Sequence, residues 1–155
     1  MSQGEEGVDL ETSLGYRLKE ASSALRAAME AALRPLGMTV THYSCLELLS
    51  QRPGLSNSDL ARGTFVTRQS MNVLLQSLER DGYVTRPAEA PVGKVLPTTL
   101  TPTGRKRLAR ATIAVRAIEK QMLSKLSAQD HDTARRILSS IIESLNPDRP
   151  SKEAG

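Results

Sequence analysis

Apolar residues recur every three to four positions through most of the chain, the period of an amphipathic helix. From Asp9 to Leu33 they are Leu10, Leu14, Leu18, Leu25, Met29 and Leu33, with Ala21, Ala28 and Ala32 between. This stretch predicts a helix of ~25 residues, about 38 Å long. Such a stripe is too long for one small domain to cover, so it asks for a partner. Thr39 or Thr41 can cap a second helix running to about Ser50, with Leu46, Leu48 and Leu49 apolar. After a Pro53-Gly54 turn, Ser56 and Asp59 form a capping box that opens a short helix through Leu60 and Ala61. Gly63 to Val66 closes it. Thr67 caps the next helix, where Met71, Leu74, Leu75 and Leu78 fall at i, i+3, i+4 and i+7. Gly82 stands where a left-handed helix terminus belongs.

The pattern then changes. Tyr83 to Arg86 and Lys94 to Leu100 are extended runs joined by a Pro/Ala/Gly loop from Pro87 to Gly93, which reads as a β-hairpin. Pro97 suits only an edge strand. Thr101 to Gly104 begins another long helix, striped by Leu108, Thr112, Val115, Ile118, Met122 and Leu126. Ser127 and Asp130 make a second capping box. The last helix carries Ile137, Leu138, Ile141, Ile142 and Leu145 and stops at Asn146-Pro147. Residues 1–8 read as a disordered tail and 146–155 as a flexible one.

Short helix, tight turn, second helix and hairpin, in that order, make a winged helix-turn-helix. The predicted class is therefore mainly α with a small β-hairpin wing, carrying long dimerisation helices. Residues 9–145 would form a single domain. About 39–101 would be its DNA-binding part, and about 9–36 and 102–145 its dimerisation helices.

Charge supports this reading. The chain has 155 residues and a formal net charge of +4, unevenly spread. Residues 62–110 hold nine basic groups and three acidic ones, while residues 1–61 are net acidic. A basic middle is what a polyanion-binding surface requires. With the stripe 71/74/75/78 facing the core, the opposite face of that helix presents Arg68, Gln69, Asn72, Val73 and Gln76. Arg can donate twice to guanine, Gln and Asn can bond adenine bidentately, and Val73 can meet a thymine methyl. Thr67 and Ser70 stand where hydroxyls and free backbone N–H groups hold phosphate. Arg86, at the hairpin base, and Lys94, in its loop, would add contacts at the minor groove or flanking phosphates.

Other chemistry is sparse. With one cysteine there is no intrachain disulfide and no Cys-rich zinc site. There is no Trp, and aromatics are 3%, poor for stacking single-stranded nucleic acid. Neither a membrane span nor the basic start of a signal peptide is visible, so a cytoplasmic protein is expected. No metal-ligand spacing, paired carboxylates or Gly-rich phosphate loop appears, so neither enzymatic activity nor a cofactor is expected. His42 and Cys45 share a helical face, and a Cys–His enzyme would need such a pair with an orienting third group, but a buried small thiol and a surface or core histidine explain the two better. His131 and Asp132 fit hydration at a helix start better than metal binding.

The segment LSNSDLARGTFVTRQSMNVLLQSLERDGYVTR (55–86), followed by LTPTGR (100–105) and preceded by LGMTVTHYSCLELL (36–49), resembles the MarR family of bacterial transcriptional regulators. The resemblance spans about residues 10–145. It implies an obligate homodimer on a pseudo-palindromic double-stranded operator, with helix 67–80 in the major groove and the hairpin tip in the minor groove. It also implies a repressor released by a small, often phenolic or anionic effector bound between the dimerisation and DNA-binding parts. Tyr16, Arg17, His42 and Tyr43 are candidates for that pocket. Some relatives sense oxidants, which makes Cys45 a candidate redox residue, although their sensing cysteines usually lie near the first helix. Two departures stand out. The wing has Val92-Gly93-Lys94 where many members have Asp-Arg-Arg, and Val73 replaces an Arg or polar residue. The alternatives are a winged-helix module that docks on protein without reading DNA, and a regulator switched by oxidation of Cys45.

Overall fold

A computed structural model of the chain describes residues 7–86 and 97–146. The elements are α1 (Leu14–Leu33), a 3-10 turn (Arg34–Leu36), α2 (Val40–Gln51), α3 (Asn57–Thr64), α4 (Arg68–Arg80), β1 (Val84–Thr85), β2 (Thr99–Leu100), α5 (Pro102–Met122) and α6 (Ala128–Leu145). The chain divides into two units, residues 1–118 and 119–155. The boundary falls inside α5.

Local chemistry sets where the helices begin. Thr39 Oγ1 accepts from the His42 N–H, and His42 Nδ1 accepts from the Thr39 N–H, which closes a capping box on α2. Ser56 with Asp59 does the same for α3, and Ser127 with Asp130 for α6. Thr67 Oγ1 accepts from the Ser70 N–H at the start of α4. Each cap satisfies donors that the first helical turn leaves free.

Several boundaries differ from the sequence reading. α1 begins at Leu14, because Ser13 Oγ accepts from the Tyr16 N–H and caps it there. Its 20 residues are about 30 Å long. Residues 10–12 form a turn, in which the Ser13 N–H donates to the Asp9 carbonyl. α3 runs on through Gly63 to Thr64, whose hydroxyl donates to the Leu60 carbonyl. α5 ends at Met122, so Leu126 lies beyond it. The hairpin is also shorter than its two runs. Val84 pairs with Leu100 and Thr85 with Thr99, antiparallel, and Pro97 precedes the second strand. The loop with Lys94 and most of both tails lie outside the described residues.

In the first unit one core collects Leu33 of α1, Cys45, Leu46 and Leu49 of α2, and Leu60 and Ala61 of α3. It also takes Met71, Leu75 and Leu78 of α4, Val84 of β1, and Leu108 and Ala111 of α5. α4 therefore buries the face its sequence stripe marked, with Leu74 half-buried at the edge. α1 behaves differently. Its one buried residue is Leu33, and Leu14 and Tyr16 stand exposed. In the second unit α6 buries none of its residues, and Ile137, Leu138, Ile142 and Leu145 are exposed.

α5 approaches the start of the hairpin through Gly104, which is buried. A Cβ added there would stand 2.1 Å from the Tyr83 carbonyl oxygen. The Thr101 hydroxyl, which donates to the Gly82 carbonyl and accepts from the Gly104 N–H, ties the same junction. Backbone cannot yield there as a side chain would, so Gly104→Ala should lower unfolding stability by about 1–3 kcal/mol. Urea denaturation checks this, and a midpoint equal to that of the unsubstituted protein would contradict the close approach.

Candidate nucleic-acid interface and ligand cavity

α4 turns one side to the core and the other to solvent. Thr67, Arg68, Gln69, Ser70, Asn72, Val73 and Gln76 are all exposed, and Val73 is 62% exposed despite its apolar side chain. The helix has 13 residues, about 20 Å, enough to lie along a major groove ~12 Å wide. Its first turn holds no acidic residue, so the positive end of the helix dipole is uncompensated by the chain itself. The Thr67 hydroxyl is engaged with Ser70 Oγ as well as with the backbone, so these two hydroxyls are held together at the N-terminus.

Arg86 is placed differently from the α4 residues. Its side chain is 18% exposed, and Nε donates to Glu79 Oε2 at 3.3 Å. It ties the hairpin base to the last turn of α4 through that ion pair. Lys94 lies outside the described residues.

A cavity of about 270 Å³ opens behind the far end of α4. It is lined by Gly37 and Met38 from the turn after α1, His42 and Leu46 of α2, Leu78 and Asp81 at the end of α4, Tyr83, and Arg107 of α5. The volume lies just below the ~300–1,000 Å³ usual for ligand pockets, which suits a small molecule. Four of the lining residues, His42, Asp81, Tyr83 and Arg107, bring polar or charged groups to it. The Arg107 guanidinium lies over the Tyr83 ring, 5.7 Å from the centroid. Its Nε is buried without a hydrogen-bond partner. Arg107 as a residue is half-buried, and its guanidinium offers five donors in a planar fork, a geometry suited to an anion, above all a carboxylate.

Of the four pocket candidates, His42 lines this cavity. Tyr43 packs against the core from the same helix, and Tyr16 and Arg17 stand exposed on the first turn of α1. Arg17 pairs there with Glu20. The structure does not gather the four into one cleft. It adds three residues that the sequence did not single out: Asp81, Tyr83 and Arg107. A local signal for Arg107 exists in retrospect. It lies one turn beyond Gly104, on the same helix face, and that glycine abuts Tyr83.

Cys45 is fully buried, with Sγ 4.0 Å from Met71 Sδ. Burial pushes its thiol pKa up to about 12. Oxidation proceeds through the thiolate, so at neutral pH this sulfur is a packing atom with little reactivity. Among the described residues no group of three or more His, Cys, Asp or Glu side chains could hold a metal ion, and no helix is long and apolar enough to cross a membrane.

His42 carries a consequence for pH. Burial lowers its pKa below the ordinary 6.5, an effect that the nearby Asp81 carboxylate partly offsets. Its Nδ1 is also the acceptor in the α2 cap, so the folded state favours the neutral ring. Above pH 6.5 the ring is neutral in both states and this contribution is complete. As pH falls below 6.5 the unfolded chain takes up the proton first, and stability declines until the folded pKa is passed. His42→Gln, which keeps an acceptor for the Thr39 N–H, should show a smaller loss of urea midpoint between pH 7.5 and pH 5 than the unsubstituted protein. Equal losses in the two would remove His42 from the account.

Comparison with known proteins gives a consistent picture. The MarR family model matches residues 36–94. The HTH-type transcriptional repressor Rv2887 of Mycobacterium tuberculosis (strain ATCC 25618 / H37Rv) is 43% identical over 132 residues, which is 85% of this chain and 95% of that protein. The crystal structure of the Mycobacterium tuberculosis MarR family protein Rv2887 in complex with salicylic acid is similar at a TM-score of 0.69. It is 43% identical and matches over 84% of this chain and 96% of that one. The crystal structure of Rv2887 in complex with DNA also matches at a TM-score of 0.69. Identity is 42%, over 84% of this chain and 98% of that one.

Proposed function

The chain belongs to the MarR family, and on that premise we propose that it is a cytoplasmic transcriptional repressor that binds a pseudo-palindromic DNA operator as a homodimer and releases it when a small aromatic acid enters the cavity beside Arg107. One observation carries the DNA part. α4 buries Met71, Leu75 and Leu78 and leaves Arg68, Gln69, Asn72, Val73 and Gln76 in solvent. Those side chains are the hydrogen-bonding and methyl-contacting types that read base edges. The relative Rv2887, crystallised with DNA and named a repressor, supports the same assignment.

Dimerisation follows from surface chemistry. The apolar residues that α6 leaves in solvent form too large a set for a lone chain in water. A second copy covers them, and a two-fold dimer on DNA meets half-sites about one helical turn, ~34 Å, apart. Residues 9–145 then act as one functional domain.

The effector part rests on Arg107 and Tyr83. An aromatic carboxylate would set its charge on the guanidinium and its ring among Leu46, Leu78 and Tyr83. The salicylate complex of Rv2887 supports this ligand class. Leu78 and Asp81 belong to the end of α4, so an occupant presses on the same helix that would read DNA. Release requires that the ligand bind the DNA-incompetent arrangement more tightly than the competent one.

Four outcomes test the proposal. Selection of genomic fragments by the purified protein should recover an inverted repeat, and a selection with no enriched sequence would favour a protein-docking module instead. On that repeat, Arg68→Ala or Asn72→Ala should cost about 1–3 kcal/mol and relax base preference. If the dimer neutralises ~8 phosphates, the log–log salt slope should be about −7, and Lys94→Ala should weaken binding to all sequences evenly. In a gel-shift titration with salicylate as the probe, Arg107→Leu should need roughly 10–100-fold more ligand for release, the scale of one charge-assisted hydrogen-bonding contact. Unaltered release by salicylate in that variant would exclude the cavity as the effector site.

A further inference from the structure

The chain has one phenylalanine, and the structure puts it in water. Phe65 is 87% exposed. It is also the one non-glycine residue in the left-handed region among the described residues, at φ 61° and ψ 38°. A bulky side chain rarely adopts that backbone, and the position is one where glycine would be at ease. The conformation is imposed by neighbours. The Phe65 N–H donates to the Ala61 and Arg62 carbonyls, and the Val66 N–H donates to the Ala61 carbonyl, which closes α3. Val66 packs on the core and Thr67 caps α4 immediately afterwards. Phe65 is therefore an exposed aromatic ring on a backbone fixed by hydrogen bonds, on the turn of the helix-turn-helix, two residues before the cap of α4.

Single exposed apolar residues are common and need no explanation. A large ring on a strained backbone, at a site that only has to turn, is a different case, because solvent exposure and conformation both disfavour it. Its neighbours in sequence bear on what it could meet. Arg62 in the last turn of α3 and Arg68 in the first turn of α4 lie three residues to either side of it along the chain, and both are exposed. Arg62 is partly engaged by Asp59, whereas the N-terminus of α4 offers free donors to phosphate. A turn that carries an exposed ring and is bounded in sequence by two exposed arginines fits a polyanion that also presents apolar surface. Duplex DNA does so through its deoxyribose faces and thymine methyls at the rim of the major groove.

We propose that Phe65 is a DNA-contact residue, its ring packed on deoxyribose and thymine-methyl surface where the helix-turn-helix turn meets the groove edge. The assignment rests on the DNA-binding reading above. It gives the turn an apolar role beside the polar readers of α4, and it gives a use to an aromatic residue at a position where glycine is conformationally easier.

The test separates contact from structure. Phe65→Gly should leave the thermal midpoint unchanged or raise it, because glycine relieves the positive φ. It should also weaken operator binding about five- to twenty-fold, the scale of burying part of one aromatic ring. Phe65→Leu should recover part of that loss. The salt slope should stay that of the unsubstituted protein, since no phosphate contact is removed. Operator affinity unchanged in Phe65→Gly overturns the proposal and leaves the ring to a protein partner. Affinity and thermal midpoint that fall together overturn it in favour of a structural role. An unsubstituted protein that selects no DNA in the same assay overturns the functional reading itself, a result distinguishable from either.

Discussion

Burial of Met71, Leu75 and Leu78 in one core with Leu46, Leu49 and Leu60 decides which way α4 faces, and most of the rest depends on it. A helix is a cylinder with two useful sides, and the side that is buried determines the side that remains. Truncating a buried leucine or methionine to alanine typically costs ~2–5 kcal/mol, while a surface substitution usually stays within about 0.5 kcal/mol. The orientation is therefore secured by residues on the side of α4 turned away from DNA. The exposed row from Arg68 to Gln76 is correspondingly free to vary with the operator, because stability does not rest on it.

The same burial joins the two ends of α4 to different tasks. Its N-terminus is capped by Thr67 and follows the turn on which Phe65 stands. Its C-terminus contributes Leu78 and Asp81 to the cavity, and Arg86 ties Glu79 to the hairpin base. On the proposed reading, a ligand acts at one end of a rigid rod whose other end and outer face meet DNA. The close approach of Gly104 to Tyr83 adds α5 to this assembly, since the helix that supplies Arg107 is pinned where the hairpin begins.

Helix starts and the α4 stripe were legible in the residues because their causes are local. Thr39, Ser56, Thr67 and Ser127 each bond a backbone N–H three positions along, and no distant part of the chain is needed. The winged helix-turn-helix, which is an order of such elements, was legible for the same reason. Some ends were misjudged where periodicity and capping compete. Leu10 continues the stripe of α1, yet Ser13 caps the helix beyond it, and Leu126 continues the stripe of α5 past its last turn.

The cavity was not legible. Gly37, His42, Asp81 and Arg107 are brought together by packing across seventy residues of sequence, and no spacing rule connects them. Tyr16 and Arg17 are exposed on α1 and do not line this cavity, since residue type says nothing about the direction a side chain takes from its helix. Cys45 looked reactive by type and is silenced by burial. Sequence alone thus determined the helices, their caps and the buried side of α4, since those depend on near neighbours. Tertiary structure decided which polar groups share a cavity, which charges are already paired and which ring stands in solvent, because those depend on residues far apart in the chain.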